Sequence, residues 1–319
     1  MPKKTNLPNS AHSPNSADPS LSGESLPLIH NPVSGSARGG ALLKRAEEAL
    51  AHRGIAAEPV ATQRAGHATE LARDLAKQGH KTLLVLGGDG TLSEAANGIL
   101  GLPKGQRPTL GFLPGGTGND FLRDFAITDL PSAVHAIAAG KTVAVDAVDV
   151  CWPGGTHFSI NLVGSGLAAK AGARFGKSFR WVGPKGYDVA AAIEIATMKA
   201  CPTKLALDGK DCSGDLPLVI AMNSVHTGGA MRMAPDAKPT DGLLDVVTVQ
   251  DIGKMQIMNL LATKVRKGEH VKDPHVTIRR AAKVHIEPED PSPLLLDGEI
   301  VGNTPVDLTV MPGAFRLLA

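Results

Sequence analysis

The chain is 319 residues long, and its 33 basic and 31 acidic residues leave a formal net charge of +2. This length favours two domains over one, and the near-neutral charge argues against a nucleic-acid partner or a strong attraction to an anionic membrane. Cys151, Cys201 and Cys212 have no CxxC spacing, which argues against a disulfide framework or a structural zinc site and favours a reducing, cytoplasmic setting.

Residues 1–25 are rich in Ser, Pro and Asn and contain few apolar side chains, so we predict that they are disordered. From Leu26 onwards, amphipathic stretches alternate with apolar runs. The amphipathic stretches have helical spacing and lie at 39–54 and 67–80. The apolar runs have the pattern of strands buried on both faces and lie at 26–32, 55–62 and 82–88. This alternation predicts a parallel α/β domain over residues 26–145.

Beyond residue 145 the chain becomes a series of short β-like runs, many of which end at Gly, Pro or Asp-Gly turns. Helical patterns interrupt these runs only at 183–200 and 253–268. We therefore predict a second, mainly antiparallel and sandwich-like domain over residues 146–307. Residues 308–319 are predicted to return to the first domain.

The sequence Gly87-Gly88-Asp89-Gly90-Thr91 stands where a predicted parallel strand turns into a helix. Glycines let the backbone approach a phosphate, and helix N–H groups favour anions. Asp89 would repel phosphates unless a metal ion or a proton-transfer role offsets its charge, which points to Mg²⁺. An ordinary Asp-Gly turn is the alternative. A second glycine-rich turn, residues 115–120, favours the phosphate interpretation.

Other nucleotide and hydrolase motifs are missing or weak. The P-loop pattern, the lipase nucleophile elbow and the HExxH zinc helix are absent from the sequence. Residues 164–169, GSGLAA, match a dinucleotide-binding pattern, but they lie in the β-rich half of the chain. This segment is therefore interpreted as a packing or binding loop.

Seven motifs together resemble those of diacylglycerol kinase catalytic domains, the group that includes bacterial soluble lipid kinases and sphingosine and ceramide kinases. The motifs are IHNPVSG (29–35), GGDGT (87–91), LPGGTGNDF (113–121), VDAVDV (145–150), FSINLVGSG (158–166), DGLLDV (241–246) and LLDGE (295–299). GGDGT is shared with NAD kinases and identifies only a superfamily. The Asn-Pro-x-Ser-Gly start, the Gly-Thr-Gly-Asn-Asp turn and the late Asp-Gly-Glu are more specific.

The resemblance implies that ATP lies in the cleft between the two domains, with Glu299 as the general base and Asp89 as a second catalytic residue. The implied nucleotide contacts are Asn31, Pro32, Ser34, Gly35, Thr62, Gly87, Gly88, Asp89, Gly90, Thr91, Leu92, Ser93 and Thr117. A simple strand end at Asn31-Pro32, and an ordinary Asp-Gly hairpin before Glu299, are the structural alternatives.

The resemblance also implies a Mg²⁺ site at Asp241, with main-chain carbonyls from Lys238 and Leu243. A second Mg²⁺ would arrive with ATP near Asp89. Asp120 and Asp146 match family acids that link the two sites, although either could be a helix cap or a buried hydrogen-bonding residue. The chain departs from the usual family pattern at Ser93, where Asn is common, and at Ala230, where Gly is common.

The function predicted from the sequence is an ATP- and Mg²⁺-dependent lipid kinase that phosphorylates a diacylglycerol-like hydroxyl. The alternatives are an NAD kinase-like enzyme for a soluble nucleotide and a catalytically silent nucleotide-binding regulator. Transient peripheral contact with a membrane is expected of a cytoplasmic lipid kinase, for example through residues 170–190, for which a solvated basic helix or loop is the alternative. The chain could form a homodimer.

Overall fold

The computed structural model describes residues 25–33, 39–116, 118–179, 185–250 and 252–319. The segment predicted to be disordered therefore lies outside the described residues, except for its last member. So do Ser34, Gly35 and Thr117 from the predicted nucleotide site.

The first part of the chain forms a parallel sheet with helices on both faces. Its strands are β1 (Leu26–His30), β2 (Ala57–Ala61), β3 (Thr82–Gly87) and β4 (Thr109–Pro114). Its helices are α1 (Gly39–Ala51), α2 (His67–Lys77), α3 (Asp89–Leu100), α4 (Asp120–Arg123) and α5 (Leu130–Ala139). A 3-10 turn covers Lys104–Gln106. The strands pair in parallel in the order β2-β1-β3-β4.

Strands β1, β3 and β4 are buried along their whole length, as their unbroken apolar sequences predict. Strand β2 is different, because it lies at the edge of the sheet and exposes Glu58, Pro59 and Ala61. The prediction that this strand is buried on both faces is therefore wrong. Glu58 and Pro59 interrupt its apolar run, and a proline within a strand is typical of a sheet edge because it cannot donate to the ladder.

The second part of the chain is β-rich. Its first strands are β5 (Thr142–Trp152), β6 (Gly155–Ser159), β7 (Leu162–Gly166), β8 (Pro202–Leu207), β9 (Lys210–Asp211), β10 (Gly214–Asp215) and β11 (Leu218–Met222). Its later strands are β12 (His226–Thr227), β13 (Met231–Arg232), β14 (Leu244–Val249), β15 (Val276–Ala281), β16 (Lys283–Pro288), β17 (Pro293–Leu296), β18 (Glu299–Asn303) and β19 (Val306–Leu318).

The helical elements of this part are α6 (Leu167–Arg174), α7 (Lys185–Ala196) and α8 (Lys254–Asn259). Single π-helical turns follow at Phe175–Phe179 and Leu260–Lys264, and 3-10 turns at Val265–Lys267 and Glu269–Lys272. The helical pattern predicted at 253–268 is thus a short α-helix continued by a π-turn and a 3-10 turn. No helix in the described ranges is both long and apolar enough to cross a membrane.

Two sheets form the sandwich. One has the order β15-β14-β11-β7-β17-β18, and the other is the antiparallel part of the large sheet, β10-β8-β16-β19 with β5 and β6. Alternate residues fill the space between them, including Val219 and Ala221 from β11. The intervening residues, such as Ile220, face a separate apolar layer that contains residues of α6, α7 and α8. The predicted fold class, a parallel α/β domain plus a β-sandwich-like domain, is confirmed.

The two parts share one sheet. Strand β19 pairs antiparallel with β5 from Asp307 to Leu318, and its residues Arg316 and Leu317 pair in parallel with Thr109 and Leu110 of β4. The predicted boundary at residue 145 therefore falls within β5, which is a continuous strand. The long strands β5 and β19 therefore join the two parts of the molecule through continuous strand pairing.

Candidate active site

The turn after β3 meets the turn after β4. A Cβ added to Gly116 would lie 2.6 Å from Gly88 Cα, and one added to Gly88 would lie 3.3 Å from Gly116 Cα. The Gly115 N–H donates to the Gly87 carbonyl at 2.6 Å. The two glycine-rich turns therefore form one surface in which the main chains touch, and a side chain on Gly116 cannot fit there.

Asn119 fixes the shape of the second turn. Its Nδ2 donates to the Gly116 carbonyl at 3.0 Å, and its Oδ1 accepts from the Gly116 N–H at 3.3 Å. Its own backbone is left-handed, with φ of 49°, which Asn tolerates better than most residues. This explains why the sequence has Asn between the glycines and α4.

Asp89 begins α3, and its carboxylate lies at the start of α4. The Phe121 N–H donates to Asp89 Oδ1 at 3.4 Å. Burial raises the pKa of the Asp89 carboxyl, and the carboxylate of Asp120 acts in the same direction, while backbone N–H groups at residues 119–121 oppose the shift. A half-buried carboxylate next to a second carboxylate is the arrangement expected where a cation or a proton has to be bound.

Helix α3 has no side-chain cap at its N-terminus, since its N-cap residue is Gly88. Gly90 has open space where a Cβ would be, whereas a Cβ on Gly87 would lie 2.6 Å from the Thr91 side chain. Thr91, Leu92 and Ser93 are buried. The main chain of this turn, rather than its side chains, is therefore the part that a ligand can approach.

The other predicted nucleotide contacts lie at the same edge of the sheet. Asn31 follows β1, where its N–H donates to the Leu86 carbonyl at 3.3 Å and its Oδ1 accepts from the Val33 N–H at 3.1 Å. Pro32 lies in the turn between them. The Thr62 N–H donates to the His30 carbonyl at 2.9 Å. The structure thus brings Asn31, Pro32 and Thr62 to the strand ends on which the glycine turns stand.

Asp297 connects the two parts of the cleft. It lies in a two-residue hairpin turn with Gly298, and both residues have positive φ, 48° and 98°, as a type I′ Asp-Gly turn requires. Its carboxylate accepts five hydrogen bonds of 2.6–3.0 Å, from the hydroxyls of Ser93 and Ser159 and the N–H groups of Ile160, Asn161 and Leu162. Residues 297–298 therefore form the ordinary Asp-Gly hairpin that was the structural alternative, and this does not conflict with a role of the hairpin in the site.

Glu299 follows this turn as the first residue of β18, opposite Leu296 in the hairpin. Its side chain is exposed. Among the residues that the structure describes, it has no hydrogen-bond or ion-pair partner. A carboxylate with this freedom can accept a proton from an incoming hydroxyl without breaking a structural contact.

Two acids, Asp120 in α4 and Asp124 directly after it, bind the hairpin β12–β13 and the residue before it through hydrogen bonds. Asp120 accepts from the N–H groups of Gly229 and Ala230 at 2.8 and 2.7 Å. Asp124 accepts from the Val225 N–H at 2.6 Å and lies 2.7 Å from His226 Nδ1. Helix α4 therefore contacts the Asp89 carboxylate on one side and the second part of the chain on the other.

Sequence analysis did not identify several residues that make contacts around this site. The Asp124–His226 pair has no motif that could reveal it, because the residues are 102 positions apart. Asn97 was also missed; its amide bonds both the N–H and the carbonyl of Phe158 in β6, at 2.9 and 2.7 Å. Glu94, which accepts from Gly66 and Ala68, could have been found from its place after Ser93 on the same helix.

The predicted metal loop contains Asp241, whose Oδ1 accepts from the Leu243 N–H at 3.2 Å and whose Oδ2 pairs with Arg280. The carboxylate of Asp146 also stabilises this loop, because it accepts a hydrogen bond from the Gly242 N–H at 2.7 Å. The side chain of Lys238 ends in an ammonium group without a lone pair, so only its main-chain carbonyl suits a cation. No cluster of three His, Cys, Asp or Glu side chains at metal-binding distance occurs in the described ranges.

Asp245 decides whether the loop fits Mg²⁺. Its side chain is 5% exposed, and its Oδ2 is buried without a hydrogen-bond partner, 3.8 Å from Arg280 Nε. Burial raises its pKa, which Arg280 opposes and the carboxylates of Asp241 and Asp236 reinforce. A buried carboxylate oxygen that lacks a donor, next to a second carboxylate, is a fit for a hard cation that also takes carbonyl and water ligands.

Comparisons with known proteins agree on both parts of the chain. Residues 25–150 match the family model described as "Diacylglycerol kinase catalytic domain", and residues 161–319 match the model described as "YegS C-terminal NAD kinase beta sandwich-like domain". A curated diacylglycerol kinase of Staphylococcus carnosus is 30% identical and aligns over 88% of this chain and 90% of its own length. A curated diacylglycerol kinase of Bacillus subtilis is 28% identical and aligns over 87% of this chain and 90% of its own length.

A solved structure of a diacylglycerol kinase from Bacillus anthracis is also similar. Its TM-score to this chain is 0.72 at 25% sequence identity, and the superposition covers 92% of this chain and 96% of that one. The similarity therefore extends over both sheets and the cleft between them.

Proposed function

The chain belongs to the diacylglycerol kinase catalytic-domain family, and from this membership and the geometry of the cleft we propose that it is an ATP- and Mg²⁺-dependent lipid kinase. The proposed acceptor is the hydroxyl of a diacylglycerol-like lipid. The family resemblance found in the sequence is confirmed. The nucleotide, the metal and the acceptor remain proposals.

The observation that carries the proposal is the bond between Ser93 and Asp297. Asp89 starts α3, and Ser93 lies one turn later, where its hydroxyl donates to Asp297 Oδ2 at 2.7 Å. Glu299 is two residues beyond Asp297 on the same hairpin. The two proposed catalytic carboxylates thus belong to elements that are hydrogen-bonded to each other, although they lie far apart in the sequence.

The glycine surface would hold the triphosphate. Gly90 has open space where a Cβ would lie, and the N-terminus of α3 offers N–H groups without a side-chain cap. Both features favour an anion. Asn31, Pro32 and Thr62 at the neighbouring strand ends would complete the nucleotide contacts, together with Ser34, Gly35 and Thr117 outside the described residues.

Asp241 and Asp245, with the main-chain carbonyls of Lys238 and Leu243, would hold Mg²⁺ in the loop, and Asp89 would face the cation that accompanies ATP. When bound, Mg²⁺ supplies charge neutralisation for the phosphates. The protein itself would mainly position ATP and the acceptor hydroxyl, since phosphoryl transfer needs little covalent catalysis by the enzyme.

Glu299 would act as the general base. Its carboxylate would accept the proton of the lipid hydroxyl while that oxygen bonds to the γ-phosphorus of ATP. The bond between the γ-phosphorus and the β,γ-bridging oxygen breaks, so that the products are a lipid phosphate and ADP. General-base help of this kind is worth about 10²–10⁴-fold.

The acceptor has to be reached at a bilayer, and we propose that the contact is peripheral and transient. Residues 170–190 remain the proposed contact segment. In its described part, the rings of Phe175 and Tyr187 pack edge to face with centroids 6.0 Å apart, while Trp181 lies outside the described residues. The cytoplasmic location and a homodimer likewise stay predictions.

An NAD kinase-like activity is the second candidate. It is supported by the GGDGT turn and by the match of the second part of the chain to an NAD kinase sandwich-like domain. The Asp-Gly-Glu hairpin, whose Asp297 is bonded to Ser93, favours the lipid kinase. The two enzymes would differ in the molecule that receives the phosphate.

The test is transfer of labelled γ-phosphate from ATP with Mg²⁺ to diacylglycerol, phosphatidylglycerol, sphingosine and ceramide in mixed micelles and to NAD in solution. We expect label on a lipid, and most on diacylglycerol. Label on NAD alone would replace the proposal by the second candidate. ATP binding without any labelled acceptor would make the chain a silent nucleotide-binding regulator.

A further inference from the structure

Arg280 lies against both carboxylates of the proposed metal loop. Its Nη2 pairs with Asp241 Oδ2, and its Nε is 3.8 Å from Asp245 Oδ2. We propose that Arg280 is a built-in cation that balances Asp241 and Asp245 in the metal-free protein, and that a divalent cation has to displace it. This inference rests on the proposed metal site and adds a residue that lowers its affinity.

The register of the sheet sets this contact. Arg280 on β15 stands directly opposite Asp245 on β14, so both side chains lie on the same face. The neighbouring Arg279 stands opposite Val246, whose side chain belongs to the core between the two sheets. Adjacent strand residues point to opposite faces, so only one of the two arginines reaches the loop.

Burial makes a resident cation necessary. Asp245 is almost completely buried, and its Oδ2 has no hydrogen-bond donor in the described part of the chain. A buried carboxylate without a compensating charge is strongly unfavourable. The guanidinium offsets this cost even though it approaches Asp245 only to ion-pair distance.

Exposure makes displacement feasible. The Arg280 side chain is 46% exposed and β15 is an edge strand, so the guanidinium can turn into solvent without disturbing the core. A divalent cation bound to Asp241 would otherwise lie within a few ångströms of a like charge. Even at the permittivity of water, that repulsion at ~6 Å lowers affinity about tenfold.

The experiment measures binding of Mn²⁺ and of Mg²⁺ to the full chain by electron paramagnetic resonance and calorimetry, without nucleotide or lipid. Arg280→Gln is expected to bind both ions at least about tenfold more tightly than wild type. Arg279→Gln is the matched control, because it removes the same charge from the same strand on the other face. It is expected to bind as wild type does.

Thermal unfolding gives a second readout. Mg²⁺ should raise the Tm of Arg280→Gln more than that of wild type, because the variant binds the ion more tightly and lacks its substitute cation. If Arg280→Gln does not fold, Arg280→Lys serves instead. It keeps the charge but loses the guanidinium that contacts both carboxylates, so the ion should displace it more easily and Mn²⁺ should bind several-fold more tightly than to wild type.

Equal affinities in wild type, Arg280→Gln and Arg279→Gln would overturn the inference, and so would weaker binding by Arg280→Gln. Absence of binding in all three would also overturn it. Absence of binding in all three would also count against the proposed metal loop, whereas the other outcomes leave that loop in place. Transfer of phosphate to a lipid is tested separately.

Discussion

Ser93 and Asp297 are 204 positions apart in the chain, yet the Ser93 hydroxyl donates to Asp297 Oδ2 at 2.7 Å. The bond joins the helix that begins at Asp89 to the hairpin that carries Glu299. Asn is common in the family where this chain has Ser93, and the structure shows that the shorter hydroxyl still reaches the carboxylate.

Asp297→Asn should lower the free energy of unfolding by about 2–4 kcal/mol, because an amide NH₂ would then face N–H donors that now share the carboxylate. Ser93→Ala removes one of the five hydrogen bonds and should cost only about 1 kcal/mol. Urea denaturation of both variants measures the difference. Equal losses would mean that the carboxylate is not the centre of this contact.

Gly116→Ala should destabilise the fold by about 1–3 kcal/mol, since its methyl group would overlap the main chain of Gly88. Gly101→Ala is the control, because nothing lies within 4 Å of its added Cβ. Thermal melts compare the two variants. A Gly116→Ala protein as stable as the control would show that the two turns do not touch in solution.

Gly90→Ala should leave the fold intact and could stabilise α3 by up to about 1 kcal/mol, since the added methyl has open space in a helix. If the triphosphate lies on this turn, the methyl group will obstruct it and the KM for ATP should rise at least tenfold, by about 1.4 kcal/mol of lost binding. Steady-state kinetics at saturating lipid measures this. An unchanged KM would place the phosphates elsewhere.

Ala230→Gly should stabilise the protein by about 0.5–1 kcal/mol. Ala230 has φ of 69°, a left-handed conformation that costs a residue with a Cβ more than it costs glycine. Ala234→Gly is the control at a buried position without positive φ, and it should be destabilised. Loss of stability in Ala230→Gly would contradict the strained turn seen next to Asp120.

Asp89→Asn should abolish most turnover without lowering the Tm at neutral pH. Burial raises the folded-state pKa of Asp89 above its unfolded value, so the stability contributed by its protonated form is present at low pH and is lost as pH rises through the folded-state pKa. The Tm of the variant relative to wild type should therefore increase with pH across this acidic range and then level off. If the Tm of the variant relative to wild type instead fell as pH rises, the raised pKa of Asp89 would be contradicted.

The periodicity of the sequence was sufficient for the long elements. Helices α1 and α2 and strands β1, β3 and β4 have one consistent pattern over their whole length, and they form as predicted. Residues 253–268 also have a helical pattern, but tertiary packing divides them into α8, a π-turn and a 3-10 turn. A pattern of apolar residues does not distinguish these helix types.

The candidate site was predictable where local motifs fix the main chain, as in the glycine turns. The direct contact between Gly88 and Gly116 could not be predicted, because it depends on the pairing of β3 with β4. The same holds for Arg280 and Asp245, which meet only through the register of β14 and β15. Sequence motifs indicate which residues take part, and long-range pairing decides what they contact.

The most direct test of the account is transfer of labelled γ-phosphate from ATP to diacylglycerol by wild type and by Glu299→Gln. Glu299 is exposed and has no partner in the described part of the chain, so the variant should melt at the wild-type temperature while its kcat falls about 10²–10⁴-fold. Labelled lipid from wild type and almost none from a folded Glu299→Gln is the predicted result. Equal rates from both proteins, or no labelled lipid from wild type, would contradict it.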